Sequence, residues 1–154
     1  MKKSILLSAL GFIAISINAQ EVKEKDVPAN IKAAFTKAHP AAKVDEWEKE
    51  GDNYEVKFTE NKVESSVDIG PNGQILETES EIKVAELPKA VTEYCTKNMP
   101  GKKIKEAAKI TDATGKVTYE AEVGKNDYIF DSNGVFIKKV VKKPKNKKDD
   151  NNKK

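Results

Sequence analysis

Along this chain the spacing of apolar positions changes from helical to alternating, and then does so a second time. Ile31, Ala34, Phe35 and Ala38 recur on one helical face, opened by Pro28 and closed by His39-Pro40, because proline suits a helix start and pushes the residue before it out of the α region. Alternation follows. Val44 and Trp47 mark a first strand-like stretch, Tyr54, Val56 and Phe58 alternate with Glu55 and Lys57, and Ser65, Val67 and Ile69 alternate with Ser66 and Asp68. A Gly70-Pro71-Asn72-Gly73 turn then leads into 74–80. The second pass repeats the device: Pro88 opens, Val91, Tyr94, Cys95 and Met99 form the apolar face, and Pro100-Gly101 stops it. Stretches 104–110, 117–123, 127–131 and 135–141 fill the strand places, with turn chemistry at 112–115 and 131–134.

This pattern predicts an α+β fold of two tandem repeats, 27–83 and 84–141, each a short helix packed on a four-stranded antiparallel sheet. One unit of that size buries little, so the two are expected to pack together or join their sheets. Residues 20–26 read as a loose charged leader. From Lys142 onward apolar character is nearly lost, which predicts a disordered Lys-rich tail over 142–154. At the other end, Lys2 and Lys3 precede an apolar run over 5–17 and a small residue at Ala19. That is the pattern of a signal peptide over 1–19, too short for a spanning helix, and it predicts a periplasmic or secreted protein with no transmembrane segment after cleavage.

Charge divides the chain. Residues 20–137 hold 17 lysines against 23 carboxylates, whereas residues 138–154 hold nine lysines against Asp149 and Asp150. Arginine is absent, and with it the planar fork that reads phosphates and carboxylates. The tail also lacks stacking aromatics, so nucleic acid is not an expected partner, while contact with envelope or glycan through its lysines is an alternative role. A lone cysteine, Cys95, excludes an internal disulfide, and its place opposite Phe35 of the first pass marks it as a core residue.

Taken together, the signal peptide, the two proline-led helices, the aromatic-and-valine strands and the Asn-Gly hairpins resemble the PepSY-like proteins. These are exported bacterial proteins whose fold is similar to the β-lactamase inhibitor protein. The resemblance spans nearly all of 27–141. It implies a binding role, either inhibiting or regulating exported hydrolases through the sheet or sensing calcium. No inhibitory contact of the family carries over residue by residue.

The residues themselves argue against catalysis. His39 is the only histidine, without ligand spacing around it, and at a helix end it reads as a cap. The expected function is therefore non-enzymatic docking of an exported protein partner through an exposed sheet face, with Trp47, Tyr54 and Tyr119 as anchors and no cofactor. Acidic residues flank Trp47, and Glu77, Glu79 and Glu81 alternate along a strand. In the alternative, calcium-responsive reading the ligands are Asp68, Glu77, Glu79 and Asp131, since calcium takes several oxygen donors.

Overall fold

Both helices owe their length to the same pair of stops. Helix α1 (Ala29–Ala38) starts after Pro28, which occupies the N-cap in extended backbone, and ends where the His39 amide donates to the Phe35 carbonyl. Helix α2 (Lys89–Asn98) starts after Pro88 and ends where the Met99 amide donates to the Cys95 carbonyl. Cys95 thus stands in α2 where Phe35 stands in α1, buried as its sequence position predicts.

The computed structural model describes residues 20–141; the expected signal peptide over 1–19 and tail over 142–154 lie outside them. Nine strands accompany the helices: β1 (Gln20–Val22), β2 (Lys43–Glu50), β3 (Asn53–Glu60), β4 (Val63–Ile69), β5 (Ile75–Ile82), β6 (Ile104–Asp112), β7 (Val117–Val123), β8 (Asn126–Asp131) and β9 (Phe136–Val141). They form one sheet in chain order, and every neighbouring pair is antiparallel. The four strands after each helix therefore do not make separate sheets. They join through β5 and β6, whose register pairs Glu77 with Asp112 and Ile82 with Ala107.

Residues 20–26 depart from the expected loose leader. Gln20, Glu21 and Val22 pair with Lys49, Glu48 and Trp47, and a 3₁₀ turn over Glu24–Asp26 follows. The open edge of β2 offers unpaired backbone groups, and Val22 adds apolar contact with the first core.

Because side chains alternate across a strand, register assigns each residue to one of two faces. On one face both helices pack. There α1 contributes Ile31 and Phe35 to a core with Trp47, Val56, Phe58, Val67 and Ile69. Helix α2 contributes Val91 and Cys95 to a second core with Ala107, Ala121, Val123 and Phe130. Polar seam pairs, Thr78 with Thr111 and Ser80 with Lys109, separate the two cores.

Each long hairpin is fitted to the start of a helix. Asn30 donates its side-chain amide to the Pro71 carbonyl at the β4–β5 turn. At the β8–β9 turn Gly134 has φ +81°, and a Cβ there would stand 2.8 Å from the Ala90 Cβ and 3.2 Å from the Val91 nitrogen. Gly115 has nearly the same φ, +82°, with nothing within 4 Å of its Cβ position. Gly115→Ala is therefore expected to cost about 1 kcal/mol through backbone conformation alone. Gly134→Ala adds overpacking and is expected to cost roughly 2–4 kcal/mol. Urea unfolding midpoints of the two variants measure the difference, and equal losses would show that the turn–helix contact contributes nothing.

Candidate functional site

On the helix-free face, register lines up like charges. Glu48 of β2 pairs with Glu55 of β3, Glu55 with Asp68 of β4, Asp68 with Glu77 of β5, and Glu77 with Asp112 of β6. Like charges directly opposite across strands are destabilising, so such a row needs protons or cations. Two residues along each strand, on the same face, Lys57, Ser66, Glu79 and Ile110 form the adjacent row.

The face is also withdrawn from water. Glu79 is 1% exposed, although both helices pack on the opposite face. A flat sheet cannot bury a glutamate so far; a sheet coiled toward this side does. Electrostatic reach across the sheet agrees. Glu79 on β5 feels Asp127 on β8, and Glu77 on β5 feels Lys138 on β9. Four strand spacings in a flat sheet would hold β5 and β9 about 19 Å apart. The face is the inside of a trough.

Protonation follows from this geometry. Burial, with the charge of Glu120 next and those of Glu55, Glu77 and Asp127 after it, pushes Glu79 well above the ordinary carboxylate range. Burial raises Glu55 to about 8 despite the opposing charge of Lys57. Glu77 is raised by burial, against the pull of Lys138. Lys57 is the cation at one end. Its Nζ lies 2.7 Å from Glu48, 3.9 Å from Glu46 and 4.0 Å from Glu55. Burial disfavours its charge, but these carboxylates more than offset that and raise its pKa. Glu48, Glu50 and Glu55 bring carboxylate oxygens within 4.8 Å of one another, an arrangement able to hold a metal ion, with the Lys57 ammonium already among them.

The residues singled out from sequence fall in three places. Trp47 is no exposed anchor: it is 4% exposed on the helix side, edge-on to Phe35 at 5.6 Å. Tyr54 and Tyr119 are half-buried on the same helix side, packed against the first and second cores. None of the three lies on the helix-free face. Asp68, Glu77 and Glu79 do lie there together. Asp131 is spent elsewhere, since its Oδ1 accepts from the amides of Asn133 and Val135 in the β8–β9 turn. The His39 ring packs against Phe35 and Phe58 with Nδ1 3.1 Å from Glu60, so the imidazole pairs with a carboxylate rather than with the helix carbonyls.

Sequence reasoning passed over Glu55, Lys57, Glu120 and Asp127. Alternation marked Glu55 and Lys57 as the outward side of a strand, and nothing local reveals that the outward side coils shut.

A family model described as "Putative beta-lactamase-inhibitor-like, PepSY-like" matches residues 13–77 and residues 52–138. Among solved structures, a putative periplasmic protein from Bacteroides eggerthii DSM 20697 superposes with a TM-score of 0.66 at 16% identity, over 75% of this chain and 88% of that one. A DUF2874 family protein from Bacteroides uniformis ATCC 8492 gives 0.67 at 20% identity, over 75% and 89%. A BLIP-like protein from Bacteroides fragilis NCTC 9343 gives 0.61 at 20% identity, over 77% and 90%. At such identities the likeness is one of fold. No curated protein matches the chain.

Two outcomes test this geometry. Trp47→Ala is expected to lose roughly 3–5 kcal/mol of stability, as core aromatics do; a loss under about 1 kcal/mol in urea unfolding would return Trp47 to the surface. For pH, Glu55 keeps its proton to about 8 when folded and loses it near 4.5 when unfolded. Its contribution is full below the lower value and is lost as pH rises toward the upper one. Stability is therefore expected to fall between about pH 5 and pH 8, by on the order of 2–3 kcal/mol. Glu55→Gln should flatten that slope, and an unchanged slope would show that Glu55 stays ionised.

Proposed function

This chain belongs to the PepSY-like, β-lactamase-inhibitor-like family, and from that premise we propose that it is a non-enzymatic exported binding protein, acting in the periplasm or outside the cell. It would dock a protein partner on the helix-free face of its sheet. One observation carries the reading: that face lies under no described helix and gathers carboxylates far in excess of cations. In the reading we favour, residues 27–83 and 84–141 are tandem units whose strands join to build one trough. The signal peptide ends at Ala19, and the tail over 142–154 is an appendage. Among the described residues no helix is long and apolar enough to cross a membrane.

The floor of the trough is too buried to meet a macromolecule, so docking falls to the rim. Glu81 lies just beyond the Ser65–Ser80 pair of β4 and β5, and it is raised by burial and by the charges of Glu64 and Glu106. A partner presenting lysine or arginine there would relieve that repulsion, and the net acidity of the body would speed encounter. An exported hydrolase with a basic lip around its active site fits this description, which connects the trough to inhibitor-like relatives.

A second reading, a calcium-responsive regulator, is favoured by a different feature. Asp68, Glu77 and Glu79 lie on neighbouring strands of one face, and Oε1 of Glu77 and both oxygens of Glu79 lack donors.

Glu81→Lys separates docking from folding. Removing a repelled carboxylate is expected to leave stability equal or slightly higher. Capture of a stoichiometric partner from periplasmic extract is expected to drop about tenfold or more, the scale of a lost charge pair at an interface. Wild-type capture should also weaken with added salt. Equal capture by Glu81→Lys at low and high salt would remove the acidic rim from the function.

A further inference from the structure

Register leads the acidic rim of the trough to the strand on which the described residues end. On the helix-free face Glu106 of β6 pairs with Glu122 of β7, Glu122 with Asp127 of β8, and Asp127 with Val140 of β9. Val140 belongs to that face, since it packs with Ile110 and Ile129 rather than with the core under α2. Beyond β6, Glu81 lies opposite Ala108, two residues along from Glu106 on the same face. Lys105 is already engaged at this margin, 3.5 Å from Glu122 and donating to the Gly124 carbonyl. Lys62, Lys83 and Lys125 stand exposed in the connections beyond it. Yet the charges that act on Glu81, those of Glu64 and Glu106, are both negative.

The chain itself supplies an occupant of opposite sign. Immediately after Val141 come Lys142, Lys143, Lys145, Lys147 and Lys148, with no carboxylate before Asp149. The distance to be covered is short. In a flat sheet β6 lies three strand spacings from β9, about 14 Å, and β4 lies five, about 24 Å. Coiling toward this face shortens both. An extended segment over 142–148 reaches about 24 Å, so its lysines can meet every carboxylate of the margin. Tethering also favours this occupant over a free one, because attachment gives it an effective concentration on the order of millimolar. A second copy's tail, or a separate basic partner, would have to reach that concentration in solution.

We propose that residues 142–148 fold back across the helix-free face and lay their lysines on the margin formed by Glu64, Glu81, Glu106 and Glu122. The nearly inaccessible Asp127 stays beneath the contact. The proposal rests on the acidic rim of the docking reading and goes beyond it by naming what holds that rim in the partner-free protein. A basic partner must then displace the chain's own lysines, so the tail sets the threshold for docking and makes it more selective for dense positive charge.

Carbodiimide coupling of the purified protein, which joins a lysine amine directly to a carboxylate it touches, tests this by peptide mass spectrometry of the monomer band. At low salt, lysines within 142–148 are expected to be joined to Glu64, Glu81, Glu106 or Glu122. The yield should fall about threefold or more in about 0.5 M salt, as a screened contact does. A second measurement uses the full chain with those five lysines replaced by glutamine. Its backbone amide NMR signals are expected to shift around Glu81, Glu106 and Glu122, and to stay unchanged around Glu77 and Asp112 at the opposite end of the trough. Links confined to dimer bands would place a second copy's tail on the rim and overturn the fold-back. Absence of these links from the monomer, or rim amides that do not move, would overturn it as well and leave the tail to envelope or glycan contact. No partner enters either measurement, so their failure leaves docking to the Glu81→Lys capture, and failure of that capture leaves the tail contact standing.

Discussion

Burial of like charge on the helix-free face is the constraint to which the rest of this structure answers. A sheet covered by helices on one side normally leaves its other side to water. Here the strands coil toward the uncovered side, so residues that alternation presents as solvent-facing are pressed together inside a trough. Desolvation then acts on Glu79, Glu55 and Glu77 in the same direction, and each neighbouring carboxylate reinforces it. Coiling is sustained from the other side. Two separate cores under α1 and α2 hold the strands of each half, and the polar seam between them is free to bend.

The halves solve their packing differently at equivalent places. Under α1, Phe35 meets Trp47 and Phe58 edge-on, and His39 covers the cluster. Under α2, small Cys95 and Ala107 take the corresponding positions, and the aromatic mass moves to Tyr94, Phe130 and Phe136 near the last hairpin. This shift explains why Gly134 lies so close to α2: ring stacking between Tyr94 and Phe136 draws the β8–β9 turn against the helix. On the helix-free face the same asymmetry recurs. The first half supplies most of the carboxylates, while Ala108, Ile110 and Ile129 keep part of the second half's floor apolar.

Local signals made the elements legible. Prolines, turn clusters and the change of period placed both helices and the eight strands that follow them, because those features depend on residues a few positions apart. Strand β1 was not legible, since nothing apolar alternates in Gln20–Val22; it forms because β2 offers an open edge. Trp47 was misread for a related reason. Its acidic neighbours Glu46 and Glu48 point to the opposite face, so the charge around it in sequence says nothing about its surroundings in space. The carboxylate row is the sharpest case. Glu77, Glu79 and Glu81 announce themselves by alternation on one strand, but the partners Glu48, Glu55 and Asp68 come together only through register, and their burial only through coil.

Retaining such a row runs against stability, because an apolar residue at Glu79 would remove its desolvation cost and the repulsion from Glu120. Structural need does not account for it either, for the helix-side cores already hold the strands. What the row provides is a place for positive charge or protons: Lys57 answers one end, Lys138 acts on Glu77 from the far strand, and the donorless oxygens of Glu79 lie between. A cation on the floor and a basic partner on the rim would answer the same row of carboxylates, so positive charge held at the floor would lower the field available at the rim. The two readings are then physically linked through one potential, since a bound cation would weaken the attraction of the trough for a basic partner.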